Sequence, residues 1–149
     1  MALRFIARYE KFNDSLQSLE KINIIDWPEN KDLMGFIWCG VISKFCITFD
    51  LSYKLMKDIL VEYHGVTDFP KGSPREILRQ AYQSDMVEDE LWLDMLKHRN
   101  EIVHEYKELS AVDEWCERIT KDYLPLFQSL LAYTEKIVRE NTTNGSDVN

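Results

Sequence analysis

Glycine and proline are scarce in this chain, with five and four among 149 residues. A turn-rich all-β protein draws heavily on both, so strands joined by hairpins are not expected. Cysteine is scarcer still: Cys39, Cys46 and Cys116 are the only three. Cys39 and Cys46 lie seven apart on an expected helix, which separates their Cα atoms by roughly 10 Å. A disulfide needs about 7 Å or less, so no bridge joins them there. Three thiols amid apolar residues point to a reducing cytoplasm. A basic surplus is missing too, since 18 Lys+Arg against 26 Asp+Glu leave a net charge of −8. No general attraction for phosphate backbones follows, and any nucleic-acid contact has to come from a local site. The opening MALRFIARYEKF is charged throughout and has no apolar core of signal-peptide length, so no secretion signal is expected.

Several chemical signatures are missing as well. No HExxH occurs, and His64, His98 and His104 pair with no cysteine or carboxylate at a metal-binding spacing. A phosphate-cradling GxxxxGK[ST] loop and a dinucleotide GxGxxG are absent, as is a GxSxG elbow for serine hydrolysis. Neither a metal nor a cofactor is expected.

What the chain does have is helical periodicity. Its 45% hydrophobic and 30% charged residues suit one globular domain over about 1–140. The polar end, NTTNGSDVN at 141–149, is expected to be disordered. Phe5, Tyr9, Phe12, Leu16, Leu19 and Ile22 recur at helical spacing over about 3–23, and Asp26-Trp27-Pro28 ends that helix. A long helix over about 30–64 should end at Gly65. From Leu33 to Phe49 its only charge is Lys44. The run nears the length of a membrane span, but Gly35, Gly40, Ser43, Lys44 and Thr48 argue for a helix covered on nearly all sides, within its bundle and against a second subunit. Ser73-Pro74-Arg75-Glu76 is a dense helix-start signal for about 74–84. The stretch WLDMLKHRNEIVHEY, 92–106, forms the next helix. Ser110, with Asp113 three residues on, can cap the last one, over about 111–140, which Pro125 should kink or interrupt. The fold class is all-α, a bundle of about five helices, with Tyr9, Phe12, Trp38, Phe45 and Phe49 as core or interface residues.

The helix over 92–106 carries the chemistry. At about 100° per residue its apolar stripe is Trp92, Met95, Leu96, Ile102, Val103 and Tyr106, and Arg99 falls in the middle. An unpaired buried charge is too costly to keep. Either this helix packs loosely there, or Arg99 faces a cleft with something to bind. Tyr106 lies within about 20° of Arg99 on the same face, while His104 sits about 140° around from it. Asn100 and His104 share the adjacent flank. One helix does not aim Arg99 and His104 at a single point unless the arginine bends across. Two copies meeting along this face would bring the groups together.

These residues carry a resemblance. Arg99-Asn100-Glu101-Ile102-Val103-His104 fits the Rx4–6H motif of HEPN domains, and Tyr106 extends it to Rx4HxY, similar to HEPN toxins paired with minimal nucleotidyltransferase antitoxins. DLSYKLMKDIL at 50–60, SPREILRQA at 73–81 and WLDMLKHRN at 92–100 resemble the nucleotidyltransferase substrate-binding-protein branch of that superfamily. Tyr53 stands where Trp is common there, Asp50 where Glu is, and His-Glu-Tyr-Lys differs from a frequent His-Thr-Tyr. The resemblance implies an antiparallel up-and-down bundle with a four-helix core. It implies a homodimer with the motif at its interface, a separately encoded minimal nucleotidyltransferase as partner, and a prokaryotic cytoplasmic setting.

Two functions are compatible with this. The first is a metal-independent endoribonuclease toxin. In it His104 is a general acid or base near neutrality, and Arg99 a permanently charged fork for phosphate oxygens. Asn100 positions the phosphate or the ring. The family implies that the partner transfers AMP to Tyr106, and a phosphodiester there would neutralise and block the site. The second is a non-catalytic accessory subunit whose Arg99 grips a nucleotide phosphate or a partner carboxylate, which suits the acidic balance slightly better. A bland alternative remains, in which Arg99, Asn100 and His104 pair with carboxylates and fix helix packing.

Overall fold

The computed structural model describes residues 4–67, 72–88, 90–105 and 109–147, with the side chains of 105 and 141–147 outside that description. Five helical rods make up the described residues, among which no strand occurs. They are α1 (Arg4–Glu20), α2 (Lys31–Glu62), α3 (Pro74–Gln83), α4 (Leu91–Glu105) and a last rod in two halves, α5 (Val112–Arg118) and α6 (Leu124–Asp147). The expected polar tail falls almost wholly where side chains are not described.

The local signals act largely as the sequence suggests. Helix α1 buries Phe5, Phe12, Leu16 and Leu19 on one stripe and ends in a 3₁₀ turn, Lys21–Ile24. After Pro28, the Asn30 side chain accepts from the N–H groups of Asp32 and Leu33, at 2.9 and 3.1 Å, and so caps α2. Asn30→Ala should therefore cost about 1 kcal/mol, read as a fall of roughly 2–4 °C in thermal unfolding. At the other end Gly65 sits at φ 69°, and the Val66 N–H turns back to the Leu60 carbonyl at 2.8 Å. Ser73 caps α3 by accepting from the Glu76 N–H at 3.3 Å, with Pro74 in the first turn.

One cap is corrected. Ser110 lies inside a 3₁₀ turn, Leu109–Ala111, and Ala111 takes the cap position of α5 with no side-chain bond. The helix begins one residue too late for the Ser110 hydroxyl to reach its first free N–H groups. The effect of Pro125 is as expected: a π-helical turn, Ile119–Tyr123, precedes it and separates α5 from α6. A proline inside a helix removes an N–H and crowds the carbonyl four residues back, and a wider turn relieves that crowding.

Cross-helix bonds fix the topology. Arg4 meets Glu62, Arg8 meets Asp58 and Ser15 meets Thr48, so α1 and α2 run antiparallel. Trp92 packs on Phe127 and His98 on Tyr123, which sets α4 antiparallel to the last rod. This is an up-and-down bundle. Phe127 sits at its centre, wholly buried, with its ring 6.0 Å from Phe12, 6.4 Å from Phe45 and 5.7 Å from Trp92. Three other helices meet on that one side chain. The buried hydroxyls turn inward on backbone: Thr48 bonds the Lys44 carbonyl, Ser52 that of Phe49 and Thr134 that of Leu130.

Helix α2 is long and apolar enough, by length and composition, to cross a bilayer. Half of it is core: Trp38, Phe45 and Phe49 are buried. The opposite face is not covered by this chain, for Leu33, Phe36 and Ile47 are 53%, 77% and 52% exposed. The bundle covers one side of α2, through α1, α3, α4 and the last rod; the expectation that a second subunit also packs on this helix concerns the other side.

Candidate functional site

Arg99 leaves α4 toward α2 and meets Asp50. Its Nε donates to Asp50 Oδ1 at 3.3 Å and its Nη2 to Oδ2 at 3.1 Å, a two-point fork. The pair is neither sealed nor free, with side chains 26% and 37% exposed. Burial works against the Arg99 charge, and the hydrogen-bonded Asp50 carboxylate more than offsets it, so the guanidinium is held more firmly charged than an ordinary arginine. Only two of a guanidinium's five N–H donors are engaged here, and among the described residues Nη1 has no partner.

The carboxylate comes from 49 residues away, which is why periodicity on α4 alone did not point to it. A signal existed in α2. Between Asp32 and Asp58 the only acidic residue is Asp50, placed at the end of a long apolar run, as Arg99 is placed in an apolar stripe. Two opposite charges in otherwise apolar faces of packed helices stabilise each other.

Outward from the pair lies an open groove of about 430 Å³ between α2 and α4, walled by Cys39, Ser43, Cys46 and Ile47 on one side and Val103 on the other. Val103, expected in the buried stripe, is 38% exposed and forms the groove's lip. Trp92, Met95, Leu96 and Ile102 are buried as expected. Burial pushes the Cys46 thiol up, with Arg99 pulling it down and Asp50 adding to the rise. Burial and then Asp50 push up the Tyr53 phenol, which Arg99 lowers. Cys46, Asp50 and Tyr53 share one face of α2 at i, i+4 and i+7, and Arg99 lies over that face.

Asn100 and His104 are exposed on α4, and neither is among the described residues that wall the groove. Helix α4 runs without a break from Leu91 to Glu105, so the angular offset between Arg99 and His104 is kept within one chain. Tyr106, the intended modification site, lies outside the described residues. Among those residues no three His, Cys, Asp or Glu side chains could hold a metal ion.

A second polar cluster was not anticipated. His98 Nε2 lies 2.9 Å from Arg118 Nη1, and because arginine only donates this nitrogen accepts. The ring proton therefore sits on Nδ1, facing the Tyr123 hydroxyl and, at 3.6 Å, Asp94. Arg118 also lies over the Trp115 ring at 5.3 Å. Burial, then the Asp94 charge, pushes the Tyr123 phenol well above its usual range. This cluster clamps α4 against α5 and the π turn at the residue next to Arg99.

The three thiols are free, and burial followed by Asp113 pushes the Cys116 thiol up to about 11. No curated protein matches the chain. A family model described as nucleotidyltransferase substrate binding protein like matches residues 7–136, a span that takes in the Arg99–Asp50 fork, both walls of its groove and the His98 clamp. With most of its length matched, the chain belongs to the nucleotidyltransferase substrate-binding-protein-like family.

Proposed function

We propose that this protein is the toxin half of a two-protein module: a dimeric endoribonuclease silenced by a partner nucleotidyltransferase that transfers AMP to Tyr106. The observation that carries the reading is Arg99. It is anchored by Asp50, has its Nη1 unengaged among the described residues, and opens onto an uncovered apolar face made by Leu33, Phe36, Ile47 and Val103. An anchored cation aimed outward through a surface that water should not wet suits a site completed by a second copy.

Cleavage through the neighbouring 2′-OH removes a proton from that hydroxyl, forms a bond from its oxygen to phosphorus, and returns a proton to the departing 5′-oxygen. His104 serves these transfers. The Arg99 Nη1 group donates to a non-bridging oxygen as negative charge builds on it. A second copy packed along the apolar face brings another His104 toward each Arg99, which answers the angular offset within one chain. AMP on Tyr106, seven residues on in the sequence, would bring a phosphodiester that can occupy the Arg99 donors.

The accessory reading draws on the family's description as substrate-binding and on the net charge of −8. Expression decides between them. The protein alone should arrest growth, and with its partner nucleotidyltransferase it should be harmless and carry AMP on Tyr106 by mass spectrometry. A protein that is harmless alone and leaves RNA intact in vitro is an accessory subunit. For the dimer, Phe36→Glu should yield a monomer by light scattering. In the wild type the Cys39 thiol, on the same face, should be slow to alkylate and become fast in that variant, whereas Cys116, with about one thiolate in a thousand at pH 8, stays slow in both.

A further inference from the structure

Beyond the Arg99 groove, a second groove of about 600 Å³ lies between α1 and the C-terminal half of α2, with Gly72 in its wall. Arg4, Arg8, Lys54 and Lys57 line it, against Asp58 and Glu62. Both acids are already engaged. Asp58 accepts from Arg8 Nε at 3.1 Å, and Glu62 accepts the backbone N–H groups of Arg4 and Phe5 at 2.9 and 3.3 Å. The ammonium groups of Lys54 and Lys57 and the Arg4 guanidinium have no ion-pair partner among the described residues. A chain of net charge −8 thus gathers free positive charge in one concave place, where low-dielectric walls focus its field.

This groove lies next along α2 from the Arg99 groove, with no wall residue in common. Asp50, Tyr53, Lys54 and Lys57 follow one face of α2 at i, i+3, i+4 and i+7. Tyr53 lines the basic groove, is half-buried, and feels the charges of both Asp50 and Arg99. Asp50 and Lys57 are roughly 10 Å apart along the axis. Lys57 lies over Gly72, whose φ is 62°, and a Cβ there would come within 3.6 Å of its Nζ.

We infer that this groove is a backbone-binding track for single-stranded RNA, in which Lys54 and Lys57 hold phosphates flanking the one at Arg99 and Tyr53 offers a ring to an unstacked base. The inference rests on the ribonuclease reading for its choice of strand. Cationic grooves interleaved with an aromatic are how single strands are held without sequence preference. The track supplies the local attraction that the overall charge denies.

The test uses the full chain and a short, labelled 2′-O-methyl RNA, which binds but has no free 2′-OH to attack. Fluorescence anisotropy should show wild-type binding that Lys54→Ala/Lys57→Ala weakens by about tenfold or more. The salt slope should fall by about 1.4, since each phosphate that a lysine neutralises on a single strand adds about 0.7 to it. Both lysines are exposed, so circular dichroism of the variant should match the wild type. Lys136→Ala, exposed on α6, should bind as the wild type does. Variant binding equal to wild type overturns the track, as does no wild-type binding, or AMP competing as well as the strand. If the track binds but natural RNA is never cleaved, the ribonuclease reading falls and the track stands. Cleavage with Lys54 and Lys57 dispensable sinks the track alone.

Discussion

Arg99→Ala is expected to slow RNA cleavage by about 10²- to 10³-fold, the usual cost of removing one preorganised donor to developing charge. The effect on stability should be small by comparison. The Arg99–Asp50 pair is partly exposed, and such pairs contribute about 0–1 kcal/mol, or no more than roughly 2–4 °C of melting temperature in a chain this size. Asp50→Ala makes the discriminating comparison. If the pair matters only as a strut between α2 and α4, removing either end breaks the same strut and the two variants lose equally. If Arg99 acts on phosphate, Asp50→Ala loosens the fork but leaves the charge, and activity stays within about tenfold of wild type while Arg99→Ala does not. Arg99→Lys keeps the charge without the planar fork and should fall nearer to Ala. His104→Ala, with the side chain exposed on α4, should abolish cleavage with an unchanged melting curve. Cleavage rates beside thermal unfolding for these four variants decide the matter, and equal losses for Arg99→Ala and Asp50→Ala would end the phosphate reading.

The largest loss of stability should come from Phe127→Ala. Truncating a buried Phe costs about 3–5 kcal/mol in transfer and cavity terms. Here the ring is also shared among Phe12, Phe45 and Trp92, and the edge-on contacts with Phe12 and Trp92 add about 0.5–1.5 kcal/mol apiece in favourable cases. At roughly 2–4 °C per kcal/mol, a fall on the order of 10 °C or more is expected by calorimetry. Phe127→Leu keeps most of the volume and should lose about a third of that, because such swaps usually cost under about 1.5 kcal/mol. A fall of less than a few degrees for Phe127→Ala would mean that the four helices do not depend on one another through this ring.

What could be read from the residues follows from the range of each force. Helices, the start at Ser73, the stop at Gly65 and the break at Pro125 are set by neighbours within a turn or two, and those were legible; the Asn30 cap is as local, but it was not singled out. Ser110 misled because the same residue type caps a helix or sits inside a 3₁₀ turn according to where the chain is already packed. The Arg99 stripe was legible as an anomaly, but its partner was not. Asp50 comes from another helix, and periodicity carries no information about which helices touch. His98 is the plainest miss. Nothing near it in sequence announces Arg118 or Tyr123, and only the antiparallel crossing of α4 and the last rod brings them together. The apolar run of α2 announced a helix covered within its bundle and against a second subunit, but not which of its faces this chain would leave open, since periodicity does not say where neighbours sit.

The π turn at Ile119–Tyr123 has a consequence of its own for the last rod. A wider turn holds one more residue than the α-helix would, so the rod's two halves are out of phase by about 100°. Trp115 meets His98 in one phase, and Phe127 reaches the bundle centre in the other, with Leu130 buried beyond it. Deleting Thr120 together with Pro125→Ala would let the rod run as a regular helix and improve its local hydrogen bonding. It would also swing one of those two sets of side chains out of the bundle. The locally better helix would make the worse protein.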